Sequence, residues 1–123
     1  MITLATLTIP GRFPALNDIT DAARENRFKA AAMKKEYTEL VAWYAKAARI
    51  PHMEQIDVSV TWYEPNRKRD KDNIHAGIKF ILDGLVQAGV LDNDGWKQIG
   101  DITHRVCLDK ENPRIEVKME EVR

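Results

Sequence analysis

An alternating stretch at residues 56–62 runs directly into a highly charged segment, and this succession constrains the fold more than any other feature. In "QIDVSVTWYE" every second residue is apolar, which is the period of a half-buried β-strand. The following "NRKRDKDN" is too polar for a core. Residues 73–88 then show apolar residues at helical spacing. The sequence therefore predicts a strand, a charged strand end and a helix in direct succession.

The amino-terminal part predicts a strand and then helix. Residues 2–9 alternate threonine with apolar residues and stop at Pro10, which is typical of a strand. Residues 20–49 are rich in alanine and predict one or two helices that end before Pro51. If there are two helices, the predicted break lies near Ala30–Met33.

Two late strands, at residues 99–108 and 114–121, complete the predicted order β-α-α-β-α-β-β. The chain has 123 residues, of which 44% are hydrophobic, enough for one modest core. We therefore expect a single small α+β domain over residues 1–123, in which a mixed β-sheet packs against helices.

The charge balance requires any polyanion partner to be bound locally. Nineteen basic residues match nineteen acidic ones, so the net charge gives no global attraction to nucleic acid. Basic residues are nevertheless concentrated around the first aspartate of the charged segment and in the predicted helical region. The candidates for contact with a phosphate backbone are Arg67, Lys68, Arg69, Lys71, Arg24 and Arg27.

Other features bear on the compartment. Cys107 is the only cysteine, which excludes an internal disulfide and a cysteine-rich zinc site and fits a reducing environment. No apolar run reaches membrane-spanning length, and the first residues lack the pattern of a secretory signal. A cytoplasmic protein without membrane contact or an organic cofactor is expected.

Three aspartates are candidates for a metal site. Asp70 and Asp72 are two residues apart in chain that should be extended, so their carboxylates project to the same side, and Asp94 follows the helix in an acidic turn. Converging carboxylates repel one another unless a cation neutralises them. Oxygen ligands without a histidine or cysteine set favour Mg²⁺, or alternatively Mn²⁺. The expected chemistry is metal-dependent phosphodiester hydrolysis.

The predicted helix places a lysine on the same side as this acidic site. Ile74, Ile78, Ile81, Leu82 and Leu85 form its core stripe, and the opposite face carries Asp72, Ala76, Lys79 and Asp83. Lys79 therefore points toward the aspartate end and can add positive charge to a phosphoryl transition state.

Each of these residues also has an ordinary structural interpretation. Aspartate and asparagine before an apolar helix are common N-caps, and Lys79 with Asp83 can be a surface pair worth about 0.3 kcal/mol. An EF-hand is excluded, because position six of both acidic loops lacks glycine. The three histidines lack metal-ligand spacing. Trp43 and Trp62 fit apolar patterns and are predicted to be core residues, whereas Trp96 beside the acidic turn stays open.

The combination of motifs resembles the RusA family of Holliday junction resolvases over nearly the entire chain. The matching stretches are "RKRDKDN", "IKFILDGLVQAGV", "LDND" and the opening "LTIPGRFPALND". The resemblance implies that Asp70, Asp72 and Asp94 are catalytic and hold Mg²⁺ or Mn²⁺. It also implies a homodimer that makes paired nicks in a four-way DNA junction.

The match departs from the family in two places. Asn93 stands where "DD" is commoner, and the stretch between Asp72 and the helix aspartate is three residues longer than in the best-known members. Counting back from Asp83 places the catalytic lysine at Lys79, whereas counting forward from Asp72 places it at Ala76, which cannot supply a charge. The prediction is therefore Lys79.

Two alternatives to junction resolution stay open at this point. The first is a junction or single-strand DNA-binding protein that does not cleave and whose aspartates are structural. The second is a metal-dependent nuclease with relaxed substrate choice. A four-way junction has near-twofold symmetry, so a C2 dimer with two equivalent sites suits the resolvase interpretation.

Overall fold

The structure is a computed structural model that describes residues 3–122 and contains four strands and four helices in that part of the chain. In chain order they are β1 (Leu4–Pro10), α1 (Leu16–Glu25), α2 (Arg27–Ala47), β2 (Ile56–Glu64), α3 (Lys71–His75), α4 (Ile78–Gln87), β3 (Ile99–Leu108) and β4 (Arg114–Glu121). Ile2, part of the predicted first strand, lies outside the described residues.

The strands form one mixed sheet in the order β1-β4-β2-β3. β4 pairs antiparallel with both β1 and β2, whereas β2 and β3 are parallel neighbours. A parallel pair needs a crossover connection, and α3 and α4 provide it. The predicted α+β class, mixed sheet and order of elements are confirmed.

One face of the sheet is the core face. The alternation in β2 buries Ile56, Val58, Val60 and Trp62, which are at most 2% exposed, as the two-residue period predicts. Ile115, Val117 and Met119 of β4 join them, and α2 and α4 add Val41, Ile81 and Leu85 to the same cluster.

Helices α2 and α4 approach each other closely at Gly84. A Cβ atom on this residue would lie 2.4 Å from the Cβ atom of Val41, far inside van der Waals contact. Glycine at this position therefore lets α4 pack directly on α2 and fixes where the helix after the charged segment runs.

The single helix predicted for residues 73–88 is present as two consecutive helices, α3 and α4. Around Ala76 and Gly77 the backbone bonds span three residues, from Gly77 N to Ile74 O (3.2 Å) and from Phe80 N to Gly77 O (3.1 Å). Such tighter bonding rotates the chain relative to a regular α-helix. Gly77 also lies against Trp62, whose ring would be 2.9 Å from an added Cβ atom.

Two predictions in the amino-terminal half are wrong in detail. The break between the first two helices is at Asn26 and not near Ala30–Met33, because Asn26 is extended and its Oδ1 accepts a hydrogen bond from Lys29 N (2.7 Å) as an N-cap. Trp43 is not a core residue, since 63% of it is exposed on α2.

No helix among residues 3–122 is long and apolar enough to span a membrane.

Candidate active site

The charged segment leaves the sheet at the end of β2, where two arginines fix it. Glu64 is 4% exposed and accepts a hydrogen bond from Arg12 Nη2 at 2.7 Å. Farther along, Arg69 Nη1 donates to the carbonyl of Phe13 at 2.9 Å, and Arg69 Nη2 lies 3.4 Å from Asp18 Oδ2. The loop is therefore tied to the chain that follows β1 before it reaches the aspartates.

Asp70 and Asp72 lie at the start of α3. Asp70 is extended (φ −70°, ψ 149°), and its carbonyl accepts from Ile74 N at 3.1 Å, but its carboxylate makes no cap hydrogen bond. Both side chains are exposed, and neither carboxylate has an ion pair with another of the described residues. The interpretation of Asp70 as an ordinary side-chain N-cap is therefore not supported.

Lys79, in the first turn of α4, lies between two carboxylates. Its Nζ is 3.1 Å from Asp83 Oδ1 and 3.5 Å from Asp94 Oδ2. Asp83 is one helical turn away, so the i,i+4 pair is present, but the same ammonium also contacts the turn that follows α4. The structure thus brings Lys79 and Asp94 together and adds Asp83 to them.

The two carboxylates act on the charge of Lys79. The hydrogen bond to Asp83 is the main reason that the pKa of Lys79 lies above its ordinary value. Burial opposes this increase, and the negative charges of Asp83 and Asp94 add to it. The ammonium therefore keeps its proton across the neutral range. A permanent positive charge is held next to Asp94.

The neighbouring acids of the turn are engaged differently. Asp94 N donates to Asn93 Oδ1 at 2.8 Å, so the asparagine helps to shape the turn. Asp92 is 73% exposed at its side chain and lies 3.1 Å from His52 Nε2, away from Lys79. The turn thus presents Asp94, and not Asp92, to the lysine.

The acidic residues do not form a closed metal cage. Among residues 3–122, no three histidine, cysteine, aspartate or glutamate side chains are grouped closely enough to hold a metal ion. The donor chemistry nevertheless fits a hard cation: Asp70 and Asp72 offer unpaired carboxylates, and the buried Oδ2 of Asp83 has no hydrogen-bond donor. Mg²⁺ commonly takes one or two protein carboxylates and completes its shell with water and substrate phosphate.

A groove of about 650 Å³ runs beside Asp70, between the charged loop and the end of β3. Arg67 and Lys71 line one side, and the other is formed by residues 106–108. Lys68 is also exposed. These side chains are free to reach a phosphate, whereas Arg69 is already bound to Phe13.

The remaining two predicted basic residues lie where α1 ends and α2 begins. Arg24 is exposed near the end of α1, and Arg27 opens α2 with its guanidinium 5.1 Å from the ring centre of Phe28. No contact joins either of them to the acidic residues in the described part of the chain. Their role in DNA contact stays a prediction.

Sequence reasoning missed two groups at this site. Lys34 of α2 lies 3.9 Å from Asp83 Oδ2 and brings a second cation to the cluster. His75, the last residue of α3, stacks on His104 of β3 with ring centres 4.1 Å apart, and Trp62 Nε1 donates to His104 Nδ1 at 3.0 Å. No local pattern announces either contact, because each depends on how distant elements pack.

Comparison with known proteins adds one finding. A family model described as endodeoxyribonuclease RusA matches residues 14–120, which include seven of the eight elements, from α1 to all but the last residue of β4. No curated protein sequence matches the chain. The match covers both ends of the candidate site, from the loop before Asp70 to the turn that carries Asp94.

Proposed function

The chain belongs to the RusA endodeoxyribonuclease family, and from this membership we propose that it resolves four-way DNA junctions by metal-dependent hydrolysis with paired, symmetric nicks. The family acts as Holliday junction endonucleases. Beyond the family's activity, we propose that cleavage depends on Mg²⁺ (or Mn²⁺) and makes two nicks. We also propose a role in DNA recombination and repair and a cytoplasmic location.

The observation that carries the proposal is the position of Lys79 between Asp83 and Asp94. All three residues belong to the helical crossover that begins with Asp70 and Asp72. A structural surface lysine needs only one partner, whereas this one joins the helix to the acidic turn. The protonated ammonium is suited to stabilise negative charge on the phosphoryl or leaving oxygen.

Asp70, Asp72 and Asp94 would hold the divalent cation. When bound, such an ion supplies positive charge against the phosphate and lowers the pKa of a water molecule. Asp83 keeps Lys79 charged and oriented. Arg67, Lys68 and Lys71 are proposed to bind the backbone beside Asp70, with Arg24 and Arg27 extending this contact. Arg69 stays a predicted contact residue whose guanidinium already holds the loop.

We further propose that residues 1–123 act as one domain and that two copies form a homodimer. A junction must be cut on two opposed strands to give duplexes that can be ligated. Two equivalent sites related by a twofold axis provide this symmetry, whereas one monomer provides a single site.

Cleavage of a synthetic four-way junction tests the proposal. The full chain is incubated with Mg²⁺ and junction labelled in turn on each strand, beside linear duplex and flap substrates of the same sequence. Paired nicks on opposed strands of the junction alone are expected. Binding without cleavage would favour the DNA-binding protein, and equal cutting of all substrates would favour the nuclease of relaxed choice.

A further inference from the structure

Trp96 has the largest exposed fraction of any large hydrophobic side chain in residues 3–122. It is 98% exposed, compared with 2% for Trp62 in the core. No ring or cation–π contact of Trp96 occurs within the described chain. Its indole therefore contributes almost nothing to packing, and a large flat apolar surface stays in water.

The turn that carries Trp96 is nevertheless firmly held. Gly95 O accepts hydrogen bonds from Gln98 N at 3.1 Å and Ile99 N at 3.0 Å, and Gln98 O accepts from Ile56 N at 2.9 Å. The backbone on the carboxyl side of Trp96 is thus fixed to the first residue of β2. An aromatic side chain on a fixed backbone loses little conformational entropy when a ligand contacts it.

Trp96 is also close to the chemistry. It follows Asp94 by two residues and precedes the basic Lys97. A shallow depression of about 260 Å³ beside it is lined by Asp94, Gly95, Ile99 and Gly100. Asp94, which lines this depression, also contacts Lys79.

We propose that Trp96 stacks on a nucleobase of the DNA substrate next to the phosphate that is cut. This inference rests on the proposed function. An aromatic face that is exposed, carried on a fixed backbone and flanked by a lysine is suited to a base, because every base offers a π-face and the neighbouring cation can contact its phosphate. A duplex interior keeps its bases stacked on one another, whereas the branch point of a junction offers bases whose stacking is readily opened.

Binding measurements with three variants test the proposal. Trp96→Ala removes the ring, Trp96→Phe keeps an aromatic face, and Trp43→Ala removes an exposed tryptophan of α2 whose only ring contact within residues 3–122 is with Tyr44. The probe is a synthetic four-way junction with 2-aminopurine at the branch point, titrated in EDTA so that it stays intact. A linear duplex of the same sequence is the second probe.

We expect Trp96→Ala to bind the junction about 5- to 100-fold more weakly, to lose the fluorescence change of the 2-aminopurine, and to bind the duplex like the parent. Trp96→Phe should retain most of the affinity, and Trp43→Ala all of it. The melting temperatures of the two Trp96 variants should be unchanged, because the exposed Trp96 ring has no ring contact with the described residues.

Three results would overturn the inference. The first is parental junction affinity of Trp96→Ala. The second is an equal loss of affinity for junction and duplex. The third is a shift of Trp96→Ala to a smaller species in sedimentation, which would assign the ring to a protein interface. Failure of the proposed function is distinct, since the parent protein itself would then leave the junction uncut in Mg²⁺.

Discussion

The two halves of the candidate site differ in how their negative charge is balanced. At α3, Asp70 and Asp72 are exposed and no described cation pairs with them. At α4, Asp83 and Asp94 share Lys79, and Asp83 is only 19% exposed at its side chain. One half is neutralised by the protein itself, and the other is left for a cation or a substrate from solution. We propose that Asp70 and Asp72 are left open for the cation, which Asp94 also helps to hold, and that Lys79 stabilises charge beside Asp94.

The largest expected effect is loss of the unpaired acids. Asp70→Asn or Asp72→Asn keeps the polar shape but removes a charge. The rate of junction cleavage should therefore fall by more than about 1000-fold, which exceeds the roughly 10- to 100-fold loss usual for groups that only support a metal ligand. Melting temperature should be unchanged or slightly higher, since no described ion pair is broken. Gel analysis of cleavage and thermal melting check this.

The turn offers a matched control for the third acid. Asp94→Asn should abolish cleavage like the other two, whereas Asp92→Asn, which breaks only the contact with His52, should cut at the parental rate. Full activity of Asp94→Asn would remove Asp94 from the site, and equal losses in both variants would show that the turn matters only for its shape.

A smaller effect is expected at Lys79. Lys79→Ala should slow the chemical step by about 100-fold, because the charge next to Asp94 is lost, while junction affinity is retained. Single-turnover cleavage at saturating enzyme measures that step. Lys79→Arg should be partly active, since it keeps the charge but not the compact ammonium.

The result for Lys79→Ala can also contradict the comparison between the two halves. If the lysine is only a surface partner of Asp83, its loss should cost a few tenths of a kcal/mol of stability and leave the rate unchanged. The catalytic cation would then have to be another residue, with Arg69 and Lys71 the next candidates.

A weaker effect should appear at the rim of α3. Arg67→Gln and Lys68→Gln should each reduce the slope of log affinity against log salt by about one unit if each side chain contacts one phosphate. Arg69→Gln should instead lower the melting temperature, because its guanidinium binds the Phe13 carbonyl. Titration of the junction at several salt concentrations separates the two kinds of residue, and unchanged slopes would assign Arg67 and Lys68 to the solvated surface.

The smallest expected effect is on the pH dependence of stability, through the stacked pair of His75 in α3 and His104 in β3. Burial, and then the nearby His75, hold the pKa of His104 below its ordinary value of 6.5. The unfolded chain therefore takes up a proton on this ring at a pH where the folded chain does not. Stability that is present above about pH 6.5 should be lost as the pH falls toward the lower, folded value.

His104→Gln isolates this contribution, because the amide oxygen can still accept from Trp62 Nε1 but does not titrate. Urea unfolding between pH 5 and 8, a range chosen to span that ordinary value of 6.5, should show a flatter dependence for the variant than for the parent. An identical dependence in both proteins would assign the acid sensitivity to other groups.

Local patterns predicted what local physics determines. The alternation of β2 and the stripe of α4 identified the core face, because burial of alternate strand positions and of one helix face follows directly from backbone geometry. The position of the helix break was not predicted correctly. The break lies at Asn26, which caps α2, whereas the alanine-rich sequence around Ala30 continues as helix. The prediction that Trp43 is a core residue was wrong, because an apolar residue in a helix need not face the core.

The candidate site shows the same division. Asp94 and Lys79 were predicted from a resemblance and from helix periodicity, and their contact is present at 3.5 Å. Lys34 and the stacked His75 and His104 escaped prediction, because α2 and β3 reach the site only through tertiary packing. The joint use of Asp70, Asp72 and Asp94 as metal ligands stays a prediction.

The crossover between β2 and β3 has a consequence for how the protein folds. Asp70 and Asp94 are only 24 positions apart (94 − 70), and every predicted catalytic residue lies between them. Closing so short a segment costs little chain entropy, so the predicted catalytic residues can come together early, when β2 and β3 pair. The pairing of β1 with β4 joins the two ends of the chain, and we expect this long-range step to be the slow one. Mutations in those terminal strands should therefore change the folding rate and leave the formed site intact.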